Sequence, residues 1–331
     1  MNHLIWKKEN ALKNGLCIES VGMGQDSTAI FYKFLTDKDF ALKKLDGRSF
    51  MMIFADTGNE RDDVYAHAWK VKDLCAAYGI KFIHLAHPLV GEIHREAGRS
   101  TDHLTYGFHS DAWAALAIRY SNTHSLAMRS NKSCTDNLKI KPIYRFLNAF
   151  CAELMGEEEK SHGKKNIVAF AESTTKIEMM IGFAVGEENR MKKAETTGKE
   201  SWWSAIDKTF PLITDLGMSR MDCIEFMEST PWGACGPSMC KFCPNITKQT
   251  LVLMWLEDRS SFIQWAKHER DKLNKWAPIQ EAKGAANSTA LGRKGTLIEE
   301  LRSALEEFKD WSLEDLKEYD FKNGHCISNG Y

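Results

Sequence analysis

A chain of 331 residues with 43% hydrophobic and 27% charged residues has the make-up of an ordinary globular protein, long enough for one large or two moderate domains with a real core. A net charge of −1 gives no overall pull toward nucleic acid, and neither a transmembrane run nor an export signal is visible, which predicts a cytoplasmic protein with no membrane partner. Nine cysteines, an odd count, argue for reduced thiols or metal ligands rather than a disulfide framework.

Short apolar runs predict strands over Leu16–Val21, Phe50–Ala55 and Ile80–Leu85, with helices over Ser27–Leu35 and Asp62–Tyr78. This alternation predicts an α/β fold built on a doubly wound, mainly parallel sheet, with a cysteine-bearing, helical C-terminal part. Further along, Asp111–Tyr120 and Ile143–Phe150 read as helices and Ile167–Ala171 and Met179–Val185 as strands. The charged stretches Gly156–Lys165 and Glu187–Glu200 read as solvated loops. Helices are expected over Lys248–Trp276, Leu297–Phe308 and Ser312–Glu318, and Gln280–Gly295, rich in Ala, Gly, Ser and Thr, reads as a flexible linker. The expected organisation is a nucleotide-binding domain over residues 1–215, a cysteine-cluster and helical segment packed on it over 216–279, the linker over 280–295, and C-terminal helices over 296–331.

The most informative stretch is Gly22-Met23-Gly24-Gln25-Asp26-Ser27-Thr28, a turn between a strand and a helix. Such a turn presents backbone N–H groups at a helix N-terminus, where the dipole favours an anion, and the Ser27 and Thr28 hydroxyls add donors. It therefore predicts a site for a nucleotide or another phosphate ester. No lysine follows the glycines, which excludes a Walker loop, and Ser27 stands where a dinucleotide fingerprint needs its third glycine.

Asp56 and Thr57, at the carboxyl edge of the second strand, are placed to accept from an adenine amino group, a ribose hydroxyl or a metal's waters, with a helix-capping turn as the alternative. Read alone, Lys139 and Lys141, with Arg129 and Arg145 nearby, are solvated cations of a turn. Cys235, Cys240 and Cys243 fall within nine residues, and Cys240-x-x-Cys243 turns two thiolates toward one ion or cluster. With Cys134 and either Cys223 or Cys235, four thiolates suit an iron–sulfur cluster or zinc. A redox-active pair and inert packed cysteines are the competing readings. Six of the eleven histidines lie between His84 and His124, but without a His-x-x-x-His pair they read as a polar loop, with His109 and His124 as pocket candidates. Trp202-Trp203 reads as hydrophobic cover rather than a base-stacking platform.

Taken in order, these stretches resemble the phosphoadenosine phosphosulfate (PAPS) reductase-like family of the pyrophosphate-loop ATP pyrophosphatase superfamily. Gly24, Gln25, Asp26 and Ser27 match its Ser-Gly-Gly-x-Asp-Ser loop, with Gly22 and Met23 in place of the serine and first glycine. Phe54-Ala55-Asp56-Thr57-Gly58 matches its Phe-x-Asp-Thr-Gly step, and Cys134-Thr135 through Lys139-Ile140-Lys141-Pro142-Ile143 its Cys-Thr-x-x-x-Lys-Ile-x-Pro-Ile segment. Ile181–Arg190 is a looser match; Phe210-Pro211-Leu212-Ile213, Met221-Asp222-Cys223 and Ser238–Pro244 follow in sequence. The resemblance covers Leu16 to Trp255.

The resemblance implies an adenine nucleotide α-hydrolase-like sheet and either sulfonucleotide reduction or ATP-dependent sulfur transfer. Phosphates would lie against Gly22, Met23, Gly24, Gln25, Asp26, Ser27, Thr28, Lys139 and Arg190, the nucleoside against Asp56 and Thr57, and catalysis would fall to Asp26, Ser27 and Lys139. A [4Fe–4S] cluster would be held by Cys134, Cys223, Cys240 and Cys243, with Cys235 as alternate ligand and zinc as alternative metal. Implied partners are ATP, with Mg²⁺, or PAPS, and a sulfur donor or redox partner protein. An ATP pyrophosphatase that adenylates a nucleic-acid or small-molecule acceptor, and a non-enzymatic nucleotide- or nucleic-acid-binding Fe–S module, are the alternatives. Cys326 is the tail counterpart of the reductases' nucleophilic cysteine, but it lacks their Glu, Gly and trailing His.

Overall fold

Leu16–Val21 (β1) is flanked by Ser49–Ala55 (β2) and Ile177–Ile181 (β5), and side chains on both of its faces are removed from water. The computed structural model describes residues 2–127, 133–160, 164–175, 177–196, 201–285, 287–292 and 295–323. Lys81–Leu85 (β3), Leu104–Thr105 (β4) and Ile206–Thr209 (β6) complete a six-stranded sheet of order β4-β3-β2-β1-β5-β6, in which every pairing is parallel. Burial on both faces is why these strands read as nearly unbroken apolar runs.

Alternate side chains feed two cores. Cys17 and Val21 of β1 join Phe50, Met52, Phe54 and Met180 beneath the helices Gln25–Thr36, Lys38–Leu45, Asp62–Tyr78 and Arg220–Glu228. Leu16 and Ile18 join Met51, Ile53, Ile177 and Met179 beneath Lys8–Asn14, Lys141–Met155 and Lys165–Ser173. The sheet is thus doubly wound, as expected. A third core joins the cysteine-bearing loop, through Met239, Phe242 and Ile246, to the helices Leu116–Thr123, Lys248–Glu257, Arg259–Ala282 and Leu297–Glu307. The last helix, Leu313–Asn323, packs against Lys248–Glu257.

The strand order reverses between β1 and β5, and there the chain opens a crevice beyond the carboxyl ends of the strands. The glycine loop follows β1 and Gly182 follows β5. A Cβ on Gly182 would stand 2.7 Å from the Ser27 backbone nitrogen, so only glycine lets the two segments meet.

Several expectations are corrected. Ile167–Ala171 lies in the helix Lys165–Ser173, because Asn166, Ile167 and Phe170 are buried at helical rather than alternating spacing. The described part of Glu187–Glu200 holds the helix Glu188–Thr196, opened by Glu187 and Glu188 and carrying Lys193 in its last turn, an arrangement that complements the helix dipole. Asp111–Tyr120 divides into a 3₁₀ turn, Asp111–Trp113, and the helix Leu116–Thr123.

Lys139 and Lys141 are helical rather than in a turn. Ser133–Thr135 runs through a π-turn, Asp136–Ile140, straight into Lys141–Met155. Pro142 has no N–H to give to Leu138 four residues back, and the Leu138 carbonyl instead accepts from His109 Nε2 at 3.1 Å.

The segment Gln280–Gly295 is not a loose tether in its described part. The helix from Arg259 runs to Ala282, and Ala290 and Leu291 are buried in the third core. Glu269 holds this segment: its carboxylate accepts from Ala290 N and Leu297 N, both at 2.7 Å. Within residues 216–279, the helix Arg220–Glu228 packs on Gln25–Thr36 in the first core. Replacing Glu269 with alanine strands two buried donors, each costing about 1–3 kcal/mol. Urea denaturation of Glu269→Ala is expected to show a loss of about 2–6 kcal/mol; a loss below about 0.5 kcal/mol would mean the segment is held by apolar packing alone.

Candidate functional site

One cavity of about 370 Å³ lies across the carboxyl ends of the strands, within the range of about 300–1,000 Å³ usual for small-molecule sites. Gly22, Gly24, Gln25, Asp26 and Ser27 form its centre, and Thr57, Cys134, Lys139, Cys240 and Cys243 line the end toward β2.

The helix Gln25–Thr36 begins at Gly24, which has no side chain to cap it, so the helix N-terminus faces the cavity. Ser27 Oγ accepts from Gly22 N at 3.3 Å and donates to Gly24 O at 3.2 Å, bracing the loop from within. Ser238 packs so closely that a Cβ on Gly24 would lie 2.8 Å from the Ser238 Cβ and backbone nitrogen.

Met23 takes a left-handed backbone, with φ of 58°. Its side chain is buried in the first core and is not among the cavity walls. The core thus holds a non-glycine residue in a conformation that otherwise favours glycine.

Thr28 is also turned inward. Its hydroxyl shares a hydrogen bond with His67 Nε2 at 2.9 Å and accepts from the Cys235 thiol at 3.4 Å, below the loop rather than in the cavity. Burial pushes the Cys235 thiol up to about 12 and the His67 imidazole down to about 4.

Cations and carboxylates alternate around the loop. Arg220 grips Asp26 with Nε at 3.1 Å and Nη2 at 2.5 Å. Burial raises the Asp26 pKa and this guanidinium opposes the rise. Arg190 pairs with Glu187 at 2.5 Å and lies over the Phe183 ring, 4.3 Å from its centroid. Lys139, projected from the π-turn, reaches Glu60 at 3.1 Å. Arg145 instead donates to the Phe108 carbonyl, away from these groups, and Arg129 lies outside the described residues. Arg220 and Glu60 were missed in the sequence; no local motif marks either, and only tertiary contacts bring them here.

Asp56 is placed differently from the expectation. Its carboxylate is fully buried, is not among the cavity walls, and accepts from His84 Nε2 at 3.2 Å, His94 Nε2 at 2.8 Å, Tyr65 hydroxyl at 2.9 Å and Gly58 N at 2.7 Å. It therefore cannot touch a nucleoside in the cavity, whereas Thr57 beside it can. Burial alone would raise its pKa, but the two imidazoles outweigh this and hold it well below the usual carboxylate range.

Three of the six histidines between His84 and His124, namely His84, His94 and His103, build a hub around Asp56 rather than a polar loop. Arg99 Nη1 donates to His94 Nδ1 at 3.3 Å, and because arginine has no acceptor, the His94 proton resides on Nε2, facing Asp56. His103 meets His84 Nδ1 at 3.2 Å in the same sense. Among the described residues, Asp56, His84 and His94 are the one trio of His, Cys or carboxylate groups whose donor atoms all lie within 4.8 Å of one another. A metal there would have to displace both Nε2 protons beside the Arg99 cation, so the trio fits a hydrogen-bonded anchor rather than a metal site.

Three of the four expected thiolate ligands converge. Cys134, Cys240 and Cys243 line the cavity, whereas Cys223 is buried on the helix Arg220–Glu228 in the first core and Cys235 is held under Thr28. Cys223 is therefore dropped from the ligand set, and Cys235 does not replace it. The Cys240 thiol faces Glu60 Oε2 at 3.6 Å and Thr57 Oγ1 at 3.4 Å; burial, then Glu60, raise its pKa well above the usual thiol range. His109 donates to the Leu138 carbonyl and His124 lines a separate, smaller cavity with Lys272 and Trp276; neither lines the main one. Cys326 lies outside the described residues.

Among the described residues no helix is long and apolar enough to cross a membrane. Comparisons of the chain with protein-family models, curated proteins and solved structures gave no match.

The inward histidines make stability pH-dependent. His67 and His103 are lowered to about 4, mainly by burial, so below pH 6.5 the unfolded chain takes up protons that the folded chain refuses. Their contribution is complete above 6.5 and is lost as the pH falls toward 4. Glu19, whose burial raises its pKa, acts in the opposite sense, so the comparison is made between wild type and His67→Gln, in which Glu19 cancels. The stability advantage of wild type over His67→Gln should shrink between pH 7 and pH 4.5 in urea titrations. An advantage that stays constant with pH would mean that His67 takes up its proton equally in the folded and the unfolded chain.

Proposed function

We propose that this chain is a PAPS reductase-like, pyrophosphate-loop enzyme that binds an adenine nucleotide and performs sulfur chemistry on it, as sulfonucleotide reduction or ATP-dependent sulfur transfer. The observation that carries this reading is that the glycine loop and the thiols of Cys134, Cys240 and Cys243 line the same cavity. A phosphate-binding loop alone would suit many nucleotide proteins; thiols within the length of one ligand suit few.

In this reading the loop N–H groups receive phosphate oxygens, the Ser27 hydroxyl turns its proton from the Gly24 carbonyl to a phosphate oxygen, and Lys139 meets them from the facing π-turn. Asp26 acts through Arg220, because its two oxygens are already taken by that guanidinium. Arg220 and Arg190, aimed by Asp26 and Glu187, supply the charge that developing negative oxygens require. Cys134, Cys240 and Cys243 would hold an iron–sulfur cluster, and such a group supplies a soft, redox-active centre beside the phosphates. With ATP as substrate, Mg²⁺ enters with the triphosphate.

Protein purified without oxygen is expected to contain iron and sulfide, to lose both in Cys240→Ser, and to keep both in Cys223→Ser. Zinc alone would exclude the cluster while retaining the thiolate site. Calorimetry with ATP and with PAPS tests the nucleotide: Ser27→Ala should weaken binding by about 1–3 kcal/mol, the loss of one buried donor. If neither ligand binds, with or without Mg²⁺, the reading fails. Pyrophosphate release marks the adenylating branch. Thioredoxin-dependent sulfite release that Cys326→Ser abolishes marks the reductase branch. Because Cys326 lacks the flanking residues of the reductases' nucleophile, Cys326→Ser is expected to keep most of the activity.

A further inference from the structure

A second cavity, of about 300 Å³, lies between the segment that follows the helix Leu116–Thr123 and the long helix Arg259–Ala282. Its volume is at the small end of the range of about 300–1,000 Å³ usual for ligand sites. Lys272, Trp276 and Gln280 recur at four-residue spacing and so present one face of the long helix to it. Opposite stand His124, Ser125 and Leu126, and Asn287 and Ser288 complete the walls. Leu126 lines this cavity and its neighbour Ala127 lines the main one, so the same segment walls both.

The walls carry uncompensated positive charge. Among the described residues Lys272 is the one lysine or arginine that lines the space, and no carboxylate does. Its ammonium donates to the Ser288 carbonyl and, at 2.6 Å, to the Ser288 hydroxyl, which are both neutral. Glu269, one turn away, directs its two oxygens to Ala290 N and Leu297 N. Burial lowers the Lys272 pKa, with Glu269 opposing it. A half-buried ammonium among neutral groups gains from an anion that replaces its lost hydration. The wall opposite is held in place yet incompletely bonded. His124 takes a left-handed backbone, with φ of 50°, and its carbonyl accepts from Trp276 Nε1 at 2.8 Å, which fixes the indole. His124 Nδ1 is shut off from water and has no hydrogen-bond partner among the described residues.

We infer that this second cavity binds a small organic oxyanion, a carboxylate or a phosphate monoester, with its charged end at Lys272 and a flat body beside Trp276 and Leu126. The lack of a carboxylate wall disfavours cations. One ammonium among neutral amides and hydroxyls suits a single negative group rather than a chain of phosphates. The inference stands apart from the nucleotide reading, because none of these walls belongs to the glycine loop or to the thiol end of the main cavity. An occupant would bear on the main cavity from behind, through the segment that separates the two.

The Trp276 indole N–H, bonded to the His124 carbonyl across the cavity, reports on its occupant. Its magnetic-resonance signal in the full chain, with isotope-labelled tryptophan, is assigned by its loss in Trp276→Phe. Benzoate, phenyl phosphate and the neutral benzamide are the probes. Benzoate, phenyl phosphate or both should shift the signal, and benzamide should not; whichever anion acts assigns carboxylate or phosphate as the group taken. Lys272→Met should weaken that anion by about ten- to a hundredfold, the loss of a charge-assisted hydrogen bond. Asn287→Phe, which narrows the cavity from a half-exposed position, should weaken it by at least about tenfold. Unmoved signals from the other tryptophans report that each variant is folded. If neither anion moves the Trp276 signal at millimolar concentration, the inference is overturned. An equal response to benzamide overturns it too, since the cavity would then be a plain apolar cleft; both of these outcomes are read in wild type. Undiminished binding in a folded Lys272→Met does the same.

Discussion

The site is organised around one buried carboxylate. Glu60 is fully removed from water, and it joins three segments that are distant in sequence: it receives the Lys139 ammonium from the π-turn, the Thr57 hydroxyl from the end of β2, and the Cys240 thiol from the cysteine loop. A carboxylate so placed is tolerated only when a charge and further donors replace its hydration, so losing any one partner weakens the hold of the other two. The backbone reinforces the junction. Glu60 and Cys240 form a one-residue antiparallel bridge, and Lys241 N donates to Asn59 O at 2.8 Å. The width of the cavity between thiols and glycine loop is therefore fixed by the end of a sheet strand, a rigid reference, rather than by the irregular loop that carries the cysteines.

Asp56 and Glu60 stand on either side of Thr57 and divide the work of holding it. Asp56 ties the strand end to β3 through His84 and to the helix Pro88–Glu96 through His94. Glu60 ties the same turn to the third core. Thr57 O accepts from Leu116 N at 3.0 Å, so this short turn is fixed by bonds from three directions while its side chain still borders the cavity. Asp56, which resembles a ligand contact in the sequence, and Glu60, which the sequence does not mark, are in this fold the anchors of the wall.

Much of the fold was legible in the sequence because both faces of the sheet are covered. Leu16–Val21 is predicted residue for residue, and β2 and β3 differ from expectation by one residue at their starts. The short edge strands β4 and β6 were not legible: Ile206-Asp207-Lys208-Thr209 has one apolar residue, and its pairing is specified by β5 rather than by its own pattern. Ile167–Ala171 misled because a five-residue apolar run has no period of its own. At the site, the sequence marks Gly24, Ser27, Cys240 and Cys243 by local spacing and Lys139 through the resemblance alone, and all five line the cavity. It does not mark which way a side chain turns at a strand end. Asp56, Thr28 and Cys223 face inward, each held by partners that are tens to hundreds of residues away or by a packed core.

The glycine loop has a partner much later in the chain. Gln25 Nε2 donates to the Phe321 carbonyl at 2.6 Å, across 296 residues, and Arg61 pairs with Asp320 at 2.6 Å beside it. During synthesis the sheet can form while residue 320 is still to be added. At about 5–20 residues per second, the ribosome needs on the order of 15–60 s to travel from one end of that contact to the other. For that interval the nascent chain carries a formed sheet whose loop lacks its last neighbour. The loop is thus among the first parts of the protein to be translated and among the last to be enclosed.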